Sequence, residues 1–100
     1  MRLPAPLSFD WDEGNIKKNW KKHGVHYKEA EEVFFNKPLK TYRDIKHSNF
    51  ENRYVTLGVT NQGRKLNISF TIRRNKIRII SARNQSKKER RLYAKKESSK

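Results

Sequence analysis

The feature that most constrains this chain is an alternation of apolar and polar residues between positions 53 and 83. Over residues 53–60, Val55, Leu57 and Val59 alternate with Tyr54, Thr56 and Gly58. Over residues 65–72, Leu66, Ile68, Phe70 and Ile72 alternate with Lys65, Asn67, Ser69 and Thr71. A third run, rich in isoleucine, covers residues 77–83. The links are Asn61-Gln62-Gly63-Arg64 and Arg73-Arg74-Asn75-Lys76. A period of two marks a half-buried strand, and links this short join antiparallel neighbours. The centre of the chain therefore reads as an antiparallel meander.

The flanks carry helical signals. Asp12 is an N-cap residue, and Glu13 after it places an acid favourably against the helix dipole. A helix over 13–23 follows, with Ile16 and Trp20 four apart and expected to face the core. Gly24 supplies its left-handed C-cap. A second helix over 27–35 puts Ala30, Val33 and Phe34 on one stripe and stops at Asn36-Lys37-Pro38. Ahead of both, Phe9-Asp10-Trp11 reads as a short edge strand with two aromatics on one face. A short strand over 40–43 and a polar loop over 44–52, holding His47, lead into the meander. After it, Ser86-Lys87-Lys88-Glu89 is a capping box that opens a helix through Leu92 and Tyr93 to residue 96. The expected fold is α+β, in the order β-α-α-β-β-β-β-α: a small antiparallel sheet with an N-terminal helix pair and a C-terminal helix. A single domain spans residues 1–100, with flexible ends at 1–8 and 97–100.

Composition bounds the function classes. A length of 100 residues suits one domain and excludes a large barrel or a full dinucleotide-binding fold. The chain has no cysteine, which removes disulfides and thiolate metal sites. Its longest apolar run is three residues, against the ~20 of a membrane span, and residues 1–8 lack the apolar core of a signal peptide. A small cytoplasmic domain with no membrane partner is expected. The formal net charge is +15, from 25 Lys+Arg against 10 Asp+Glu. That charge lies in two blocks: residues 73–100 hold 12 Lys+Arg against 2 Glu, and residues 15–28 hold five lysines and no acid. Clustering of this kind is the footprint of a polyanion or acidic-protein partner. Within the first helix Lys17 faces Lys21 and Lys18 faces Lys22, repulsive pairs that an anion against that face would relieve.

Four constellations bear on chemistry. Asp10, Asp12 and Glu13 offer oxygen ligands to Mg²⁺, but capping a helix explains them more simply. His23 and His26 are three apart, yet Gly24 breaks the helix between them and no third ligand is evident, so no metal site is expected. Neither a Ser/His/Asp arrangement nor a Gly-rich phosphate loop is present. The fourth set is basic: Lys22, His23, Arg53, Arg64, Arg78 and Arg83, with Tyr54 and Tyr93 among them. RNA can be cleaved without metal because the ribose 2′-hydroxyl is a built-in nucleophile. The protein must then move two protons and stabilise charge at phosphorus. Arginine suits phosphate by bidentate contact, histidine, lysine or tyrosine suit proton transfer, and aromatics stack unpaired bases.

Specific strings resemble the BrnT toxin family. They are Phe9-Asp10-Trp11-Asp12, Asn19, Lys22-His23-Gly24, Glu29-Ala30, Val33-Phe34, Arg53-Tyr54-Val55 with Leu57-Gly58, and Ile77 through Arg83 followed by Glu89-Arg90 and Tyr93. They run in one order over residues 9–93. Asn15 stands where the family usually has lysine, and His26 stands where Ser or Thr would cap the second helix. The resemblance implies a ribonuclease toxin of a type II toxin–antitoxin pair with a RelE-like fold and no cofactor. It also implies a BrnA-like antitoxin, two copies of each chain in the complex, and operator DNA bound through the antitoxin. The expected catalytic set is Lys22, His23, Arg53, Arg78, Arg83 and Tyr93. Lys18, Lys21, Tyr54 and Arg64 are expected to bind RNA phosphate or bases, and no metal is expected. The rival reading is a non-catalytic nucleic-acid-binding module.

Overall fold

Helices α1 (Glu13–His23) and α2 (Tyr27–Val33) precede four strands, β1 (Lys40–Arg43), β2 (Arg53–Val59), β3 (Lys65–Arg73) and β4 (Lys76–Asn84), and α3 (Lys87–Ala94) closes the order. The computed structural model describes residues 3–47 and 51–95. The strands form one antiparallel sheet in the order β1-β2-β3-β4. The two-residue turn between β3 and β4 has Arg74 at φ 51° and Asn75 at φ 62°. Two positive φ values in a row belong to the hairpin turn whose twist matches that of the strands. A 3₁₀ turn, Ile45–His47, occupies the start of the expected polar loop.

Alternation assigns the two faces of the sheet. Leu66, Ile68 and Phe70 of β3 lie opposite Gly58, Thr56 and Tyr54 of β2, so these six share the first face. The register shifts between Ser69 and Phe70, leaving Ile80 as an extra residue on β4. This bulge changes the parity of β4, so Ile77 and Ile79 before it and Ala82 after it all turn inward. Val25, Ala30, Val33 and Phe34 from the α1–α2 layer complete the core with them. Phe34 meets Phe70 edge-on at 5.1 Å between ring centroids, and Phe9 meets Phe34 at 5.6 Å. Gly58 sits where α2 crosses β2, and a Cβ there would collide with Val33. Helix α3 packs on β2 across the second face, where Leu57 is buried.

Local signals set both ends of α1 and the starts of α2 and α3 as expected, whereas α2 stops at Val33 and α3 at Ala94, short of the expected 35 and 96. The Asp12 side chain accepts from the Asn15 backbone N–H, and Gly24 takes φ 63° at the C-cap. Ser86 and Glu89 form the capping box of α3. His26 also caps: its Nδ1 accepts from the Lys28 N–H at 3.2 Å, while Glu89's counterpart in α2, Glu29, closes the box onto the His26 N–H at 3.1 Å. No helix of the described residues is long and apolar enough to cross a membrane.

Two expectations are corrected. Phe9 is no edge strand: it makes a single parallel bridge to Ile77, through Ile77 N–H to the Ser8 carbonyl and Asp10 N–H to the Ile77 carbonyl, both 2.8 Å. The chain enters α1 four residues later, so no ladder can extend. Trp20 does not face the core, being 60% exposed, whereas Asn19 is 2% exposed. The reason lies in β4, an edge strand with unpaired backbone groups. Asn19 Oδ1 accepts from the Ala82 N–H at 3.1 Å, and Asn15 Nδ2 donates to the Ile79 carbonyl. Helix α1 docks by capping that edge with amides, which turns Trp20 outward. Part of the expected flexible start is packed too: Leu3 and Leu7 lie against the core. Residues 97–100, expected to fray, lie outside the described residues.

Candidate functional site

Alternation and register bring basic residues together on the second face. Arg53 of β2 lies opposite Thr71 of β3, which lies opposite Arg78 of β4, so both arginines leave the same side of the sheet. Arg73 is two residues beyond Thr71 and shares that side. Helix α3 covers the other end of this face. At the uncovered end, Arg53, Arg73, Arg78 and Ile80 line an open depression of about 330 Å³ with Glu51. Gly14, Asn15 and Lys18 of α1 form its wall. Lys18 reaches it because α1 is held along the β4 edge by Asn15 and Asn19.

Carboxylates partner these cations. Glu51 holds Arg73 in a bidentate pair, with Nε to Oε2 at 3.0 Å and Nη2 to Oε1 at 3.1 Å. The Arg73 hydrogen bonds hold the Glu51 carboxyl below its ordinary value of 4.5, with Arg53 and Arg78 adding to the effect. Arg78 Nη2 donates to Asp12 Oδ2 at 2.6 Å, and its Nη1 lies 3.6 Å from Asp10. Asp12 is held below its ordinary value first by the Asn15 N–H and then by Arg78. The two aspartates considered as Mg²⁺ ligands therefore serve α1 and Arg78. Glu13 pairs with Lys17 at 3.0 Å. Among the described residues no group of three or more His, Cys, Asp or Glu is placed to hold a metal ion.

A larger depression of about 490 Å³ opens at the β1 edge between Leu3, Tyr42, Arg43 and Tyr54. The one cation among its described lining residues, Arg43, donates to Asn52 at 2.8 Å. The smaller depression gathers four cations among its described lining residues, side chains whose chemistry suits phosphate.

Two comparisons bear on this arrangement. The family model described as "Ribonuclease toxin, BrnT, of type II toxin-antitoxin system" matches residues 11–89. The chain belongs to the BrnT toxin family. A solved structure, the Brucella abortus ribonuclease toxin BrnT, shares the fold with a TM-score of 0.62 at 21% identity, covering 81% of this chain and 99% of that one. No curated protein sequence matches significantly. The BrnT family is one of ribonuclease toxins.

The structure gathers only part of the expected set in this BrnT fold. Lys18, Arg53 and Arg78 line the depression; Lys21, Lys22 and His23 do not, lying farther along α1. Arg64 is a staple: its guanidinium donates to the carbonyls of Gly24 and His23 and to Glu29 at 2.9–3.3 Å. Tyr54 lies on the first face, its ring 5.5 Å from Phe70. Arg83 forms two bonds to Glu89, at 2.8 and 2.9 Å, and so anchors α3. Tyr93 is buried, its hydroxyl donates to the Pro38 carbonyl at 2.7 Å, and burial raises its pKa above the ordinary 10. Neither Arg83 nor Tyr93 lines the depression.

Sequence reasoning missed Arg73, Glu51 and Asn15. Arg73 was legible in principle, because the alternation that gives β3 its inner residues puts position 73 on the outer side. Glu51 stood in a polar loop with no periodicity to place it. Asn15 looked like a departure from the family pattern, and its amide bond to β4 exists only once β4 is known to be an edge.

Proposed function

We propose that this protein is a metal-independent endoribonuclease toxin that holds an RNA phosphate in the depression between α1 and the second face of the sheet. The observation that carries the reading is the convergence of Lys18, Arg53, Arg73 and Arg78 from four different elements on one open site. Arginine N–H groups fixed by ion pairs are preorganised donors for the extra charge that develops on phosphorus. Four cations and a single carboxylate among the described lining residues favour a phosphate over a divalent ion, which needs several oxygen ligands. The open shape suits an unpaired strand, whose 2′-hydroxyl can turn toward the phosphate.

The family's toxin–antitoxin setting supports a protein partner as well. A BrnA-like antitoxin, pairing two toxins with two antitoxins and reaching operator DNA itself, would cover basic surface that RNA uses when the toxin is free. Cleavage of cellular RNA would then arrest translation. The test is direct: purified protein freed of antitoxin cuts a single-stranded RNA in EDTA. Arg78→Ala lowers the single-turnover rate by about 10²-fold, the scale of losing one charge-stabilising donor. Complete loss of cutting on chelation overturns the metal-independent reading. Tight binding with no cutting under any condition leaves the non-catalytic module.

A further inference from the structure

We propose that Glu51 is the general base of the cleavage, the carboxylate that takes the proton from the ribose 2′-hydroxyl. This rests on the ribonuclease reading and names the group that reading lacks. Attack of the 2′-oxygen on phosphorus requires a proton acceptor within hydrogen-bond reach of the hydroxyl. Elimination among the described lining residues leaves one. Lys18 and the three arginines carry donor groups and no acceptor. Asn15 has a neutral amide, already donating to the Ile79 carbonyl, and Gly14 and Ile80 carry no polar side-chain group. Glu51 alone among these described residues can take a proton.

Its geometry fits the task. Arg73 binds both oxygens side-on, which fixes the carboxylate and leaves each oxygen a further lone pair for a hydroxyl. The Glu51 side chain remains 29% exposed. The charges facing it are Arg73 from β3, Arg53 from β2 and Arg78 from β4; Asp10 also interacts with Arg73. The other nearby carboxylate, Asp12, has one oxygen on the Asn15 N–H and the other on Arg78. It does not line the depression. A base held by three arginines stays ionised across the neutral range, and those same arginines face the phosphate it acts beside.

The step balances without a cofactor. The 2′-hydroxyl proton passes to Glu51, the 2′-oxygen bonds to phosphorus, and the phosphorus–5′-oxygen bond breaks. The departing 5′-oxygen takes a proton from the Lys18 ammonium. The products are a 2′,3′-cyclic phosphate and a 5′-hydroxyl end. Solvent then takes the proton from Glu51 and restores that of Lys18.

The experiment compares wild type with Glu51→Gln on one RNA oligonucleotide and on its non-cleavable 2′-deoxy analogue. Cleavage is expected to fall by about 10²–10⁴-fold, the usual contribution of general acid–base catalysis. Affinity for the analogue is expected to hold or tighten, since one negative charge leaves a cationic site, and retained binding also shows that the variant folds. Glu51→Asp, which keeps a carboxylate, should recover part of the rate. The wild-type rate should stay flat through neutral pH and decline only as pH falls below the usual carboxylate range, a limb absent from the Gln variant. Gln variant cleavage within about threefold of wild type overturns the Glu51 assignment, as does a wild-type limb between pH 6 and 7, the histidine range. Wild type that binds the analogue and never cuts RNA overturns the ribonuclease reading instead.

Discussion

Arg78 and Arg83 lie five positions apart on β4, and the bulge at Ile80 lets both reach the second face of the sheet. Their partners divide their work. Arg78 is held by two carboxylates of the segment that leads into α1, beside the depression. Arg83 is locked onto Glu89, which is also the N3 residue of the α3 capping box and accepts from Asn67 at 2.8 Å. The Arg83 hydrogen bonds, chiefly, pull the Glu89 pKa from 4.5 to about 2. A depressed folded-state pKa stabilises the fold above the unfolded value, and that stability is lost as pH falls through the folded one. Glu89→Gln is therefore expected to be less stable than wild type at pH 7 by about 1–2 kcal/mol, after discounting for solvent screening. The gap should close between pH 4.5 and about 2. Urea denaturation of both proteins across that range measures it, and the comparison cancels the repulsion that acid adds to both. An equal gap at every pH would show that the lost Asn67 and capping contacts dominate the charge.

At the scale of elements, α1 shows what a sequence does and does not disclose. Its ends were legible because Asp12 and Gly24 act locally: a side chain reaching three residues on, and a backbone conformation that costs glycine little. Its orientation was not. Apolar spacing pointed Ile16 and Trp20 inward, but the surface α1 meets is an open strand edge, which rewards amides over indoles. The meander was legible for the opposite reason, since alternation marks a strand whichever face is buried. In β2 it is Thr56 and Gly58, not Val55 and Val59, that are buried on the core face. Asp12 couples this helix to the site, capping α1 through Oδ1 and holding Arg78 through Oδ2. Asn caps about as well as Asp, so Asp12→Asn separates the two roles. Circular dichroism should show α1 intact. Affinity for a non-cleavable oligonucleotide should rise about threefold, since removing a like charge about 6 Å from a phosphate in water is worth about 0.7 kcal/mol. Asp12→Ala, which also removes the cap, should cost about 1 kcal/mol of stability. Unchanged affinity in Asp12→Asn would mean that Arg78 meets the ligand with its ion pair fully screened.

For the molecule as a whole, +15 on 100 residues locates nothing by itself. Half of the question is which of 25 cations a polyanion touches, and the fold answers it by contrast. Arg64, Arg73, Arg78 and Arg83 all pair with carboxylates, yet of these four only Arg73 and Arg78 line the depression. The basic block from residue 73 onward is thus split by the structure, β4 feeding the site and α3 carrying Lys87, Lys88, Arg90 and Arg91 on a separate exposed surface. Counterion release distinguishes these regions. Each phosphate neutralised on a single strand contributes about −0.7 to the slope of log affinity against log salt. Four cations in the depression predict a slope of about −3 for a short non-cleavable oligonucleotide. Arg53→Ala and Arg73→Ala should each make that slope shallower by about 0.7, whereas the double substitution Lys87→Ala, Lys88→Ala should leave it unchanged. A slope that responds equally to both regions would mean that the net charge, and not the built depression, holds the strand.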